Sequence, residues 1–139
     1  MIEDNFIPIN IKCSTLKSAD NIGSLVILLY ALTNYKMKYN QSYNSSLVVD
    51  IIKDKISDNN NRDYWFIIYD KNNQEYIFNS LKGCSELKEN EYNLPFQINW
   101  KKNKVYNVKP SSEVWNSIKL LYTKYKITWQ KKFLAICRN

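Results

Sequence analysis

Hydrophobic residues recur at helical spacing from residue 19 to about residue 39. Over this stretch the apolar side chains stand three or four positions apart, which places them on one face of a helix with 3.6 residues per turn. Ser18 precedes the stretch and can cap it, so we predict a long N-terminal helix here. A second, shorter helix is predicted from about Ser46. Its apolar face consists of Val48, Ile51, Ile52 and Ile56.

Shorter stretches indicate β-strands, because apolar and polar residues alternate in them or β-formers cluster in them. Pro8 places the first strand at the edge of a sheet, since proline cannot donate to a central ladder. The clearest hairpin joins two strands through residues 71–74, and its first arm is apolar on both faces, so we expect it to lie centrally. The predicted strands are residues 6–12, 64–70, 75–79, 96–100 and 105–108.

The last predicted element is a long amphipathic helix over residues 110–139. Pro110 ends the preceding strand, and Ser111 or Ser112 can cap the helix. The whole pattern predicts one α+β domain over residues 1–139. Residues 1–109 form an antiparallel sheet of about four to five strands with two N-terminal helices, and residues 110–139 are the basic C-terminal helix. The apolar stripe of that helix is Trp115, Ile118, Leu121, Tyr122, Tyr125, Trp129, Phe133 and Ile136.

Charge is distributed unevenly along the chain, whose formal net charge is +7. Residues 1–99 hold ten bases and twelve acids, whereas residues 100–139 hold ten bases and a single acid, Glu113. A basic segment of this kind can contact nucleic acid or an anionic membrane surface. The other interpretation is a solvated lysine face that keeps the domain soluble. The candidate contact residues are Lys119, Lys124, Lys126 and Lys131.

The absence of histidine excludes much chemistry. Ser-His-Asp and Cys-His catalytic units and zinc sites of the Cys2His2 type all need an imidazole, and the chain has none. The two glycines, Gly23 and Gly83, are too far apart to form a phosphate-cradling loop. We therefore expect no enzymatic activity, no metal site and no cofactor.

The cysteines and the N-terminus suggest where the protein resides. Three widely spaced cysteines cannot all pair within one chain, so reduced thiols in the cytoplasm or another reducing compartment are the simpler account. The start of the chain is acidic where a signal peptide would be basic. The longest apolar run, residues 25–32, is too short to span a bilayer. Association with a membrane surface through the basic helix stays open.

Two segments resemble a known family. Residues 21–25, Asn-Ile-Gly-Ser-Leu, open an apolar helix, and residues 64–69, Tyr-Trp-Phe-Ile-Ile-Tyr, are followed one hairpin later by Phe-Asn-Ser at 78–80. This outline resembles papain-like cysteine peptidases, in particular the bacteriocin-processing peptidase domain of peptidase-containing ABC transporters. In this resemblance Ile22 stands for the catalytic cysteine, Tyr64 for the histidine and Asn79 for the aspartate. Downstream, residues 91–92 and Trp100 resemble the family's Glu-Phe and Trp.

The resemblance implies a degenerate peptidase that binds peptides without cutting them, because every catalytic residue differs. The peptide or protein partner would lie in a groove beside the hairpin and add main-chain hydrogen bonds along a strand edge. A nucleic-acid- or membrane-binding protein acting through residues 100–139 is the alternative function. An enzyme that uses tyrosine, lysine or carboxylate groups without histidine is the third. The candidate groove residues are Tyr64, Trp65, Asn79 and Tyr92.

Overall fold

The fold is α+β, as predicted. A computed structural model describes residues 6–21, 25–38, 40–89 and 96–123. In chain order the elements are β1 (Ile9–Ser14), β2 (Asp20–Asn21), α1 (Leu25–Leu32), α2 (Ser45–Lys55), β3 (Trp65–Asp70), β4 (Glu75–Ser80), β5 (Gln97–Ile98), a 3-10 helix (Trp100–Lys102) and α3 (Ser111–Thr123).

The main sheet has the strand order β1-β3-β4 and is mixed. The predicted hairpin is present, since β3 and β4 pair antiparallel, and β3 is the central strand. The prediction of a wholly antiparallel sheet is wrong, because β1 pairs parallel with β3. The reason is the connection: α1 and α2 lie between the two strands and carry the chain back to the end of the sheet where β1 began.

Residues 96–100 and 105–108, which the pattern predicts as neighbouring strands that could pair as a hairpin, do not pair with each other. Only Gln97–Ile98 is a strand, and it pairs antiparallel with Asp20–Asn21 in a separate two-stranded sheet. The chain then turns into the 3-10 helix, since the Asn99 side chain accepts a hydrogen bond from the backbone N–H of Lys101 at 3.1 Å. The buried amide of Asn103 holds the turn by donating to the carbonyl of Asn99 at 2.8 Å. Hydrogen bonds of the Asn99 and Asn103 side chains thus take the place of the backbone hydrogen bonds that a second hairpin would form.

Helix α1 is shorter than the predicted helix over residues 19–39. At its start, Asp20 and Asn21 belong to β2. At its end, the Thr33 hydroxyl donates to the carbonyl of Leu29 at 2.6 Å and accepts from the N–H of Tyr35 at 3.2 Å. The Thr33 side chain thus bonds backbone groups before and after it. Such bonds compete with those of a further helical turn, so the helix ends here.

Helix α2 begins at Ser45 because Asn44 caps it, with the Asn44 side chain accepting from the N–H of Leu47 at 2.9 Å. Helix α2 packs against α1, and its buried residues are Val48, Val49 and Ile52. Val48 and Ile52 belong to the predicted apolar face, whereas Ile51 and Ile56 are only partly buried.

One face of the main sheet forms the core with the helices. Phe66 and Ile68 of β3 and Ile77 of β4 are buried in the same cluster as residues of α1, α2 and α3. Trp100 contacts the ring of Phe66 with 4.8 Å between ring centroids. The start of α3 is tied to the loop after α2, because the Asp58 carboxylate accepts from the N–H and the hydroxyl of Ser112, both at 2.8 Å. Among the described helices none is long and apolar enough to cross a bilayer.

Candidate functional surface

The face of the main sheet that points away from the helices is apolar and exposed. Successive side chains of a strand point to opposite sides, so alternate residues of β1, β3 and β4 share this face. They form three rows across the sheet, Ile9–Trp65–Ser80, Ile11–Ile67–Phe78 and Cys13–Tyr69–Tyr76. These nine residues are called the open face below, and Ser80 is the one among them that is buried.

Exposure and lack of charge distinguish the open face. Ile11 is 74% exposed, Phe78 62% and Tyr76 60%, although the side chains are large and apolar. None of the nine positions carries a charged residue, whereas 24% of the whole chain is charged. Large contiguous apolar patches are uncommon on monomeric soluble proteins and are typical of interaction sites.

Aromatic contacts hold the open face in a fixed shape. The rings of Tyr69 and Tyr76 lie across the hairpin from each other with centroids 5.1 Å apart, and Tyr76 stacks on Phe78. At the other end Tyr106 stacks on Trp65, with 5.6 Å between centroids and 24° between planes. A rigid aromatic surface loses little conformational entropy when it binds a partner.

Tyr106 comes so close to the chain at residue 83 that only glycine fits there. A Cβ atom on Gly83 would lie 2.3 Å from the Tyr106 ring and 2.4 Å from the Asn79 side-chain oxygen. The N–H of Asn107 also donates to the carbonyl of Gly83 at 3.0 Å. The segment that covers Trp65 is therefore fastened to the end of β4.

The outer edge of β1 is open for hydrogen bonding. The N–H of Trp65 donates to the carbonyl of Pro8, and the N–H of Lys71 donates to that of Ser14. In a parallel pair this register directs the backbone of every second residue to β3 and leaves the others pointing outward. The outward residues are Ile9, Ile11 and Cys13. Their N–H and C=O groups have no hydrogen-bond partner within the described part of the chain.

Tyr64, a predicted groove residue, is buried on the opposite, helix-covered side. Its hydroxyl accepts a hydrogen bond from the Asn10 side chain at 3.2 Å, and its ring meets Phe66 edge-on at 4.9 Å. One side of the ring lines a small apolar cleft of about 90 Å³ beside Pro8 and Tyr30. Its contacts are mainly those of a core residue.

Asn79 is fully buried on the same side of the sheet as Tyr64. Its side-chain N–H groups donate to the carbonyls of Asn103 at 2.7 Å and Val105 at 3.3 Å, and its oxygen accepts from the N–H of Ser80. The amide thus fastens the segment after the 3-10 helix to β4.

The structure brings Tyr64 and Asn79 to neighbouring strands on one face, while Trp65 lies on the open face. Ile22 and Tyr92 lie outside the described residues, so the predicted convergence at a peptidase-like cleft stays a prediction. Of the predicted basic residues, Lys119 is half-buried on α3. Lys124, Lys126 and Lys131 lie outside the described residues.

The buried ionisable groups have structural roles. The Lys82 ammonium donates to the carbonyls of Asn60 and Arg62, and burial lowers its pKa. Burial raises the pKa of Asp63, whose carboxylate accepts from the N–H groups of Tyr64 and Lys82. Together they hold the loop before β3 against the end of β4.

The thiols differ in environment. Burial raises the pKa of the Cys84 thiol to about 12, which keeps it protonated at neutral pH. Cys13 is exposed on the open face. Over the described residues no three histidine, cysteine or acidic side chains are grouped as metal ligands would be.

Four residues of the open face were not among the candidates predicted from the sequence: Ile9, Ile11, Tyr76 and Phe78. Residues 6–12 alternate, which predicts that the isoleucines face the core, but Ile9 and Ile11 are exposed, and the polar Asn10 and Lys12 lie on the helix-covered side. Comparison with protein-family models, curated proteins and solved structures finds no match to this chain.

Proposed function

We propose that this protein is a non-catalytic binding module that holds an extended segment of a partner protein along the outer edge of β1 and over the open face. The observation that carries the proposal is the coincidence of three outward-facing backbone positions, at Ile9, Ile11 and Cys13, with an uncharged apolar surface. An added strand needs both features, because main-chain hydrogen bonds give affinity and side-chain contacts give specificity.

The geometry of an added strand defines the partner. Its alternate side chains would lie over the open face next to Ile11 and Cys13, where apolar residues fit. The intervening side chains would lie on the other side, beside Asn10, Lys12 and Ser14. Acidic residues suit the position beside the positively charged Lys12. The partner segment therefore alternates apolar and acidic residues.

A role without catalysis agrees with the side chains that could perform chemistry. There is no histidine in the sequence. Tyr64, Asn79 and Lys82 are buried and hydrogen-bonded to other parts of the fold, and Cys84 is a buried thiol. The resemblance to a degenerate papain-like peptidase domain supports the same class of function, since such a domain holds an extended peptide without cutting it.

β4 is a less suitable edge for the same interaction. The N–H of Ser80 bonds to the Asn79 side chain, and the carbonyl of Ser80 accepts from the N–H groups of Gly83 and Cys84. These bonds shorten the run of backbone groups that a second strand could use. The edge of β1 has no such interruption between Ile9 and Cys13 in the part of the chain that the structure describes.

The proposal is tested with a peptide selected against the purified protein from a display library. We expect the selected peptides to alternate apolar and acidic residues. N-methylation at successive peptide positions should weaken binding at every second position, because only alternate N–H groups face β1. Binding controlled by side chains alone would show no such period of two, and that result would contradict strand addition.

A matched pair of variants locates the surface. Ile11→Lys places a charge on the edge strand, a device by which proteins block strand addition. Leu120→Lys adds the same charge at a comparably exposed leucine of α3, 62% exposed. We expect Ile11→Lys to abolish binding and Leu120→Lys to preserve it. Equal affinities of the two variants would refute the proposed surface.

Sedimentation and a salt titration separate the other occupants. A dimer that dissociates in Ile11→Lys would assign the edge to a second copy of this chain and overturn the peptide partner. Salt should weaken peptide binding only moderately. A steep loss of binding affinity with salt, unaffected by Ile11→Lys, would instead favour binding by the basic segment, residues 100–139. The helical continuation of that segment beyond Thr123 is itself a prediction.

A further inference from the structure

A polar cavity of about 460 Å³ lies at the end of the main sheet where β1 and β3 finish. Three separate segments surround it: the loop after β1, the turn between β3 and β4, and the segment around the 3-10 helix. Its size is that of a small-molecule site. The lining residues that matter here are Lys17, Asp70, Asn72, Asn73, Lys101 and Lys104.

In the part of the chain that the structure describes, the side chains of the three lysines of this cavity, called the basic cavity below, form no direct ion pair or hydrogen bond. Within the described residues, the ammonium groups of Lys17, Lys101 and Lys104 make no hydrogen bond and no ion pair. Lysines nearby behave differently. Lys102 is paired with Glu86 at 3.0 Å, and Lys109 donates to the carbonyl of Ser85. The three positive charges face a single carboxylate, that of Asp70, whose pKa Lys104 lowers, so the cavity keeps a net positive charge that a bound anion would neutralise.

The one carboxylate among the lining residues, Asp70, already accepts three hydrogen bonds. One oxygen of Asp70 accepts from the N–H groups of Asn72 at 3.0 Å and Asn73 at 3.4 Å, and the other accepts from the Asn73 side chain at 2.9 Å. Desolvation raises the pKa of Asp70, but these bonds and the charge of Lys104 outweigh it and leave the pKa below its usual value. Asp70 therefore stays ionised and holds the hairpin turn.

The walls of the basic cavity are fixed before any ligand binds. The Asn72 side chain donates to the carbonyl of Thr15 at 2.9 Å, which joins the hairpin turn to the loop after β1. In that loop Leu16 has a left-handed backbone, with φ 59°, and its N–H donates to the Ser14 hydroxyl at 3.0 Å. A left-handed leucine is strained, and such strain persists only where its surroundings impose it.

We propose that the basic cavity is a binding site for the phosphate group of a small soluble ligand, held by Lys17, Lys101 and Lys104. Three ammonium groups and one carboxylate leave an excess of two positive charges, which matches the charge of a phosphate monoester near neutral pH. Lysine is suited to phosphate, because its ammonium group binds the anion as a point charge and donates hydrogen bonds to its oxygens. The site is independent of the proposed peptide surface.

Calorimetry with pyrophosphate and with a nucleoside monophosphate, at low salt, tests the proposal. We expect saturable binding with one site per chain. Lys101→Gln with Lys104→Gln should weaken it about tenfold or more, because each lysine contributes a charge-assisted hydrogen bond. The matched control is Lys36→Gln with Lys38→Gln, which removes the same charge at the loop after α1. We expect the control to change the affinity less than about twofold.

Amide NMR shifts locate the ligand. Addition of pyrophosphate should move the signals of Asn72, Asn73 and Lys104 and leave those of Ile9 and Ile11 unchanged. The absence of saturable binding, or an equal loss in both double variants, would overturn the proposal. A short single-stranded oligonucleotide or anionic vesicles that bind while pyrophosphate and the nucleotide do not would overturn it as well. All of the substituted lysines are exposed, so thermal unfolding should show the variants folded.

Discussion

Both faces of the main sheet carry large apolar side chains, but the helices cover only one of the two faces. On the covered face Phe66, Ile68 and Ile77 are buried against the helices. On the open face Ile11, Tyr76 and Phe78 are no less apolar and stand in solvent. Hydrophobicity along a strand therefore identifies the sheet, but it does not separate the residues that stabilise the fold from those available to a partner.

The two faces also differ in how the rest of the chain is attached to them. The covered face has the loop before β3 and the segment after β5 fastened to it by buried hydrogen bonds of Lys82 and Asn79. The open face adjoins the outer edge of β1, where the backbone is unpaired within the described residues. Proteins usually protect such edges with charge or a covering segment. The proposed strand addition rests on this unpaired edge.

The largest expected difference is in thiol reactivity. Cys13 on the open face should react with an alkylating reagent at pH 8, whereas Cys84 should react at least about a thousandfold more slowly, because its raised pKa and burial withhold the thiolate. Mass spectrometry of peptides from a Cys137→Ser variant measures both rates. A bound peptide partner should slow Cys13 alone. Rapid alkylation of Cys84 in the folded protein would contradict its buried position.

A matched pair of phenylalanines compares the two faces energetically. Phe66→Ala should lower the free energy of unfolding by about 3–5 kcal/mol, since it leaves a cavity in the core. Phe78→Ala should lower it by less than about 1 kcal/mol, because that ring is exposed. Urea denaturation measures both. Equal losses would mean that the open face is covered in solution.

Asn79 tests whether the groove residues inferred from sequence are structural. Asn79→Ala removes the donor to the carbonyls of Asn103 and Val105 and should cost about 1–3 kcal/mol of stability. At a temperature where the variant is folded, its affinity for the selected peptide should equal that of the wild type. A loss of affinity without a loss of stability would contradict the structural role and would place Asn79 in the binding surface.

The smallest expected effect concerns Asp58 at the start of α3. The hydrogen bonds from the backbone and side chain of Ser112 lower its pKa in the folded state, so its contribution to stability is present above about pH 4 and is lost as the pH falls through the folded value. Asp58→Asn still accepts hydrogen bonds but does not titrate there. The variant should therefore lose less stability than the wild type between pH 4 and pH 2 in thermal melts. If the stability of both proteins fell equally between pH 4 and pH 2, the Asp58 carboxylate would not form these hydrogen bonds in solution.

Local patterns in the sequence were sufficient for the β3–β4 hairpin, for α2 and for the α+β class. They failed where a distant contact competed with periodicity. Asp20 and Asn21 continue a helical pattern but pair with β5, and Thr33 ends α1 through its hydroxyl. The parallel pairing of β1 with β3 could not be derived from alternation, because strand direction depends on the connection and not on the strand.

The candidate surface was harder to predict than the fold. Trp65 was chosen as a groove residue by the resemblance, and its side chain lies on the open face. Tyr64 and Asn79 were chosen by resemblance, and their side chains bond within the fold. The lysines of the basic cavity come from segments far apart in sequence, so only the folded chain shows that Lys17 lies near Lys101 and Lys104.

Hydrogen exchange at the amides of β1 tests the central claim most directly. In the free protein, Asn10, Lys12 and Ser14 should exchange slowly because they bond to β3, whereas Ile9, Ile11 and Cys13 should exchange close to the rate of an unprotected chain. On addition of the selected peptide, Ile9, Ile11 and Cys13 should become protected while the other three stay as they were. Protection of all six amides in the free protein, or unchanged exchange at Ile9, Ile11 and Cys13 in the complex, would contradict strand addition at this edge.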